Sequence, residues 1–482
     1  MPARRAIMVL ATKQHTGKTS VSLALIQTAR KLLAPSGGTV GYMKPVGQQW
    51  VTVEEGGEQI RVDKDAAVAH HYFKLQERLR LSDVSPIVIG RGHTKAFLDG
   101  EMPSLAAEAF EARLTSAFGA ISAASDFVVV EGTGHSGVGA VLGWNNARVA
   151  AALGVEVVLV ANGGVGSTFD ELSLNVAACR AEKAAIAGII INKCAPSKVA
   201  EVTTYLQKAA DRFGWGVPVL ACVPYGDDLD KPSVSDLVHL FEGGFSKERY
   251  VPSESASSLA SMSNLGKRRD LKHTAAAVYA TALRYAAGYG GLRASGGGGG
   301  SSGGSSSRSD GGGAKGGGNS SVLLAGECLR QRRFERYELV TESLERFTEK
   351  LAAEAEAEGA PGGGEGDAAG GVCYVTHVSR TDIIRAVLGP RRGGRPGRAR
   401  PFGLIIAGSP KHRMAPIVAT AARALASDTP VLRSYMPMAQ TLAAIKDLTP
   451  KMQADDDVRV RQVIDLYAPH LEGAVSHLLR DD

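Results

Sequence analysis

Ala11-Thr12-Lys13-Gln14-His15-Thr16-Gly17-Lys18-Thr19-Ser20-Val21-Ser22-Leu23-Ala24-Leu25 is the stretch whose reading decides the fold. It follows an apolar run, Ala6-Ile7-Met8-Val9-Leu10, and continues into apolar residues at helical spacing: Val21, Leu25, Ala29 and Leu32. That order is strand, loop, helix. Gly17-Lys18-Thr19 at the junction fits a phosphate-binding loop. Loop N–H groups and the helix N-terminus face an anion, Lys18 reaches terminal phosphates, and the Thr19 hydroxyl is placed for Mg²⁺. Thr12, Lys13, Thr16, Gly17, Lys18, Thr19 and Ser20 are the nucleotide contacts expected of this loop.

The usual pattern has Gly five residues before the Gly of G-K-[ST], and here Thr12 stands there. Lys13, four residues before Gly17, gives K-x-x-x-G-K-T. This resembles the deviant loop of the dimeric ATPases related to chromosome-partition and septum-site proteins. The resemblance implies a homodimer, with Lys13 touching nucleotide across the subunit boundary.

A chain of 482 residues exceeds one ordinary domain, so two folded units joined by linkers are expected. The hydrophobic content of 44% suffices for cores. The formal charge of +6 is assigned to local runs such as Lys267-Arg268-Arg269 and Arg391 to Arg400, which read as loops, so nucleic acid is not the expected partner. Five widely spaced cysteines without a C-x-x-C pair fit reduced thiols rather than a disulfide framework or a zinc site. No apolar run is long enough to span a bilayer. With the first strand near Ala6, a cleavable targeting peptide would remove the site itself, and the chain is read as cytoplasmic.

Along the chain, Thr39 to Tyr42 reads as a strand ending in Met43-Lys44-Pro45-Val46-Gly47. Lys44, at the carboxyl end of a strand beside the phosphate loop, either holds an anionic substrate or is simply exposed. Asp65, in Arg61-Val62-Asp63-Lys64-Asp65, is a metal candidate; His70 and His71 have no second ligand pair at metal-binding spacing. A helix around Leu105 to Ala123 precedes Phe127-Val128-Val129-Val130-Glu131-Gly132, a buried strand whose tip carries Glu131. A carboxylate there binds Mg²⁺ directly or through water. Three more strands, Val155 to Ala161, Gly188 to Ile191 and Val217 to Ala221, complete a mostly parallel α/β sheet with helices on both faces. Asn192-Lys193 and Val223-Pro224-Tyr225 at their ends suit an adenine: Asn192 offers donor and acceptor, and Lys193 and Pro224 line the base.

These motifs together, T-x-x-x-x-G-K-T-S-V-S-L, Gly41 to Val46, Val130-Glu131-Gly132, Asn192-Lys193 and Val223-Pro224-Tyr225, resemble the dethiobiotin synthetase-like P-loop domain, as found at the N-terminus of long phosphate acetyltransferases. The resemblance implies ATP and Mg²⁺ as cofactors. Lys18 and Thr19 would sit on phosphate and metal, Glu131 and Asp65 on the metal, Asn192 on adenine, and Lys44 on the substrate side, making Lys18, Lys44 and Glu131 the catalytic set. Gln48-Gln49-Trp50 and Thr133-Gly134-His135 depart from the synthetase pattern on the substrate side.

The first domain is placed at 1–245. Residues 246–371 read as a linker, with a Ser-rich run, a Gly/Ser tract from Ser295 to Ser321 and one helix around Leu329 to Ala357. A second α/β domain at 372–475 carries Ser379-Arg380-Thr381-Asp382-Ile383-Ile384, Gly403 to Ser409, Pro430 to Tyr435 and Asp455-Asp456-Asp457, and resembles a DRTGG domain. Ser379 and Asp382 read as a helix N-cap with a reciprocal acid. By that resemblance the second domain is expected to be regulatory and to offer a surface for a protein partner, and acetyltransferase chemistry is not expected of these residues. The function expected is a slow, nucleotide-dependent ATPase regulator linked to acetyl-phosphate or CoA-type metabolism. The alternative is an ATP-dependent ligase activating a small carboxylate.

Overall fold

The computed structural model describes residues 5–102, 106–226, 229, 231–242, 323–325, 329–357, 371–388, 402–409, 411, 429–448, 452 and 456–480. The Gly/Ser tract 295–321, the Ser-rich run and the basic loop 390–401 lie outside them. The chain divides into two compact units, 1–230 with 246–254 and 451–482, and 231–245 with 255–450.

The first unit is a six-stranded sheet in the order β10-β9-β8-β1-β7-β2. Its strands are β1 (Arg5–Ala11), β2 (Val40–Met43), β7 (Phe127–His135), β8 (Glu156–Asn162), β9 (Ile186–Cys194) and β10 (Val219–Pro224). Every pairing among them is parallel. Val128–Val130 and Val157–Val160 are buried throughout, as strands covered on both faces require. The helices of this unit include α1 (Lys18–Leu33), α2 (Lys64–Tyr72), α3 (Leu81–Val84), α4 (His93–Leu98), α5 (Ala107–Ala123), α6 (Asn146–Leu153), α7 (Gly166–Ala181) and α8 (Val199–Arg212). Val21, Leu25 and Ala29 of α1 are buried as the helical spacing predicts, whereas Leu32 is exposed.

Between β2 and α2 the polar stretch is ordered. β3 (Val46–Gly47) pairs with β6 (Ile87–Val88), and β4 (Trp50–Glu55) turns back antiparallel into β5 (Glu58–Asp63). Glu55 pairs with Glu58 across the two-residue turn Gly56-Gly57, both at positive φ, the backbone that a right-twisted hairpin demands.

The second unit has a five-stranded sheet ordered β11-β15-β14-β13-β12: β11 (Leu323–Ala325), β12 (Arg336–Leu339), β13 (Val372–His377), β14 (Phe402–Ala407) and β15 (Val431–Ser434). Only β11 runs antiparallel. Its helices are α9 (Val234–Phe241), α10 (Leu344–Ala357), α11 (Thr381–Leu388) and α12 (Met438–Lys446). Phe347 of α10 packs edge-on against Tyr374 at 5.0 Å between ring centroids.

Four expectations change here. The segment around Leu329 to Ala357 is a strand and a shorter helix, because Arg336–Leu339 pairs in parallel with Val372–Val375; part of the expected linker is sheet. Helix α9, placed with the first domain from sequence, buries Val234, Leu237 and Val238 with Phe334, Cys373 and Ile405 of the second sheet. Conversely α13 (Asp457–Leu478), expected in the second domain, puts Val460, Val463, Tyr467, Leu471 and Val475 into the core of the first. Ser379 likewise does not cap α11 with Asp382: its hydroxyl meets His377 Nδ1 at 2.7 Å, and Asp382 is taken by Arg380 at 2.9 Å.

Candidate functional site

β1 ends at Ala11 between β7 and β8, so the following loop emerges at the carboxyl edge of the sheet, where open α/β sheets bind ligands. Thr12 N–H donates to Val160 O at 2.9 Å, and Thr16 Oγ1 donates to Lys13 O at 2.9 Å. Gly17 is the N-cap of α1 with φ +93°. A Cβ there would lie 2.3 Å from Asn192 Nδ2, so both backbone conformation and space call for glycine. Asn192 itself is wholly buried. Its Nδ2 donates to Thr16 O at 2.7 Å, and its Oδ1 accepts from Lys193 N–H at 2.8 Å. Asn192 therefore braces the loop in this structure. Lys193 (φ +54°) and Pro224 stand at the neighbouring ends of β9 and β10.

Beside Thr19 the structure brings together Lys44, Asp65 and Glu131, residues far apart in sequence. Met43, the last residue of β2, pairs with Val130, so Lys44 just past β2 and Glu131 in β7 follow side by side. Glu131 lies inside β7 rather than at its tip, and is fully buried. Its Oε1 accepts from Thr19 Oγ1 and from Lys44 Nζ, each at 2.8 Å, and its Oε2 accepts from Tyr42 OH at 3.0 Å. Lys44 Nζ also reaches Asp65 Oδ2 at 2.9 Å and Asp63 Oδ1 at 3.8 Å. Asp63 caps α2 through Asp65 N–H and accepts from the Gln48 and Gln49 N–H groups.

The protonation of these groups follows from burial and charge. Burial works to lower Lys44, but Asp65, Glu131 and Asp63 overcome it and hold the ammonium well above its ordinary range. Asp65 is opposed by burial too, yet Lys44 and Lys64 keep its carboxyl well below the usual range. Asp63 is pushed up to about 6 by burial and by repulsion from Asp65 and Glu131, against the pull of Lys44. Burial lowers Lys18, with Lys44 adding to the effect against the attraction of Glu131 and Asp65. Thr19 Oγ1 lies 2.8 Å from Glu131 and 3.4 Å from Asp65. A hydroxyl with two carboxylates is a hard-oxygen set that fits Mg²⁺. Among the described residues no cluster of three or more His, Cys, Asp or Glu forms a metal site by itself.

Sequence reasoning missed Tyr42, Asp63, Glu171 and Asn175. The last two sit one helical turn apart on α7 and grip the loop. Glu171 accepts from Thr12 Oγ1 at 3.0 Å and from Lys13 Nζ at 2.7 Å. Asn175 Nδ2 donates to Thr12 O at 3.3 Å, while its Oδ1 accepts from Ser136 N–H at 3.1 Å. Lys13, expected to cross to a second subunit, is thus ion-paired within its own chain. Only the i, i+4 spacing of Glu171 and Asn175 hinted at a shared face.

This geometry has relatives. Residues 5–233 match the family described as an AAA domain. An ATP-dependent dethiobiotin synthetase of Anaeromyxobacter dehalogenans is 31% identical over 229 residues, covering 47% of this chain and 92% of that protein. The chain belongs to the dethiobiotin synthetase family. A second relative of that family, from Aromatoleum aromaticum, is 28% identical over 249 residues and is covered to 99%. Among solved structures, the MinC:MinD cell division protein complex of Aquifex aeolicus aligns over 47% of this chain and 83% of that one, at 12% identity and a TM-score of 0.29, a likeness that carries no functional argument. Membership of the dethiobiotin synthetase family makes the first unit a P-loop NTPase domain of that type. Among the described residues no helix is long and apolar enough to cross a membrane.

Proposed function

We propose that this chain binds ATP with Mg²⁺ at residues 12–20, hydrolyses it slowly, and uses its nucleotide state to regulate a partner. The second unit, read as DRTGG-like, would carry that regulation in acetyl-phosphate or CoA-type metabolism. The observation that carries the nucleotide reading is the cluster at Thr19, where its hydroxyl meets Glu131 and Asp65 while Lys18, Lys44 and Lys64 stand against the carboxylates Asp63, Asp65 and Glu131. A hydroxyl and two carboxylates beside a phosphate loop suit a divalent cation escorting a polyphosphate. Thr19, Asp65 and Glu131 would hold the metal, which when bound neutralises charge on the β- and γ-phosphates during phosphoryl transfer. Lys18, on the first turn of α1, reaches the same phosphates. Tyr42 and Lys44 hold Glu131 in place.

A second reading, a ligase activating a small carboxylate, is favoured by kinship with dethiobiotin synthetases and by the position of Lys44 at the end of β2. It requires Lys44 to leave Asp65 and Glu131 for a substrate anion, whereas Lys44 is 4% exposed. Phosphate release separates the readings. Slow, Mg²⁺-dependent turnover that Lys18→Ala abolishes, and that no small acid or amine stimulates, supports the regulator. ADP release dependent on one metabolite selects the ligase, and no Mg²⁺-dependent nucleotide binding overturns both. A homodimer is part of the proposal and would register as a doubled mass in light scattering with ATP and Mg²⁺.

A further inference from the structure

The two partners of the Lys13–Glu171 pair are held very differently. Glu171 is fixed: its Oε2 takes the hydroxyl of Thr12, which is buried, and Asn175 Nδ2 ties the Glu171 carbonyl at 2.8 Å to the same helical face that holds Thr12 O. Lys13 is tied less firmly. Its side chain is 50% exposed, against 28% for Glu171, and its ammonium reaches Glu171 Oε1 at 2.7 Å. Exposed pairs of this kind are weak, so a polyphosphate with several anionic oxygens can outcompete one carboxylate for the ammonium. We propose that Glu171 is an internal counter-charge that withholds Lys13 from nucleotide phosphate until the ligand displaces it, so that α7 responds to occupancy of the loop. The proposal rests on reading residues 12–20 as a nucleotide site. Release of Lys13 leaves the Glu171 carboxylate held by Thr12 alone, and the change passes along α7 to Asn175, whose Oδ1 receives Ser136 N–H from the chain just beyond β7, the strand of Glu131. Glu171 is a positioning residue in this account, acting on the ligand through Lys13.

The test is a double-mutant cycle on the full chain with a fluorescent N-methylanthraniloyl ATP and Mg²⁺. Glu171→Gln keeps an oxygen for Thr12 and removes the charge. It is expected to bind about two- to fivefold tighter than wild type at low salt. That gain should vanish in the Lys13→Gln background, and in about 0.5 M salt, where exposed charges are screened. Weaker or unchanged binding by Glu171→Gln, or an equal gain without Lys13, overturns the proposal while leaving the nucleotide site intact. A wild-type chain that binds no nucleotide overturns the site reading and this proposal with it. Should Glu171→Gln fail to fold, Lys13→Gln carries the test through amide exchange in the first turns of α7. Nucleotide is expected to raise that exchange in wild type and leave it unchanged in Lys13→Gln; an equal response in both overturns the proposal.

Discussion

Lys44 holds its ammonium 2.8 Å from Glu131 and 2.9 Å from Asp65, with Asp63 at 3.8 Å, almost wholly out of water. Removing a single partner from a buried ionic cluster leaves uncompensated charge. Lys44→Met is therefore expected to cost about 3–5 kcal/mol of unfolding free energy at pH 7, measured in urea, and less at pH 5, where the orphaned carboxylates take up protons. Asp63 gives a second signature. Its folded carboxyl, pushed up to about 6 from an ordinary 3.8, binds a proton more tightly than the unfolded chain does, so its contribution is full below the ordinary value and is lost as pH rises through about 6. Asp65 has the opposite sign: its contribution holds above the ordinary carboxylate range and is lost on acidification below it. Wild type is expected to lose urea stability between about pH 4 and pH 6 through this group, and Asp63→Asn, which still caps α2, should flatten that fall. Lys44 and Glu131 are legible as candidates because each ends or follows an apolar run, and Asp65 because it is an acid in the polar stretch after the second strand. Asp63 is not, since nothing local distinguishes a capping carboxylate that reaches a distant lysine from one that meets only water.

The phosphate loop and the hairpin are the elements on which local sequence and structure agree most directly. Gly17 at φ +93° with no room for a Cβ makes Gly17→Ala strained, by about 1–3 kcal/mol on ordinary backbone costs. On the proposed function, ATP affinity should fall roughly ten- to a hundredfold in a fluorescence titration. The hairpin is legible only in its turn: Val51-Thr52-Val53-Glu54-Glu55 and Gln59-Ile60-Arg61-Val62 flank Gly56-Gly57, a two-residue turn signal, while the strand alternation is blurred by charged residues on the exposed face. Helix α13 has an apolar stripe in sequence, yet its partner does not follow from that stripe. Leu471, fully buried in the first core, gives the check: Leu471→Ala should cost about 2–5 kcal/mol in thermal or urea unfolding of the first unit.

At the scale of the molecule, the second unit is inserted into the first, entering after β10 and leaving before α13. Deleting residues 451–482 exposes the buried faces of α1 and β10 that α13 covers. The truncated chain is expected to lose the cooperative unfolding of the first unit and to bind an exposed-surface dye. If α13 belonged to the second unit, as the order of motifs suggests, the first unit would survive the deletion unchanged.

The α/β class, the parallel strands and the phosphate loop were determined by the sequence alone, because apolar runs, helical periodicity and Gly17-Lys18-Thr19 are local and each reports the backbone at its own position. The tertiary structure decided which distant residues meet: Glu171 and Asn175 on Thr12 and Lys13, Asp63 on Lys44, and α13 on α1. Such meetings are set by strand order and by which apolar faces cover one another, and a pattern read along the chain holds the demand for a partner without naming it.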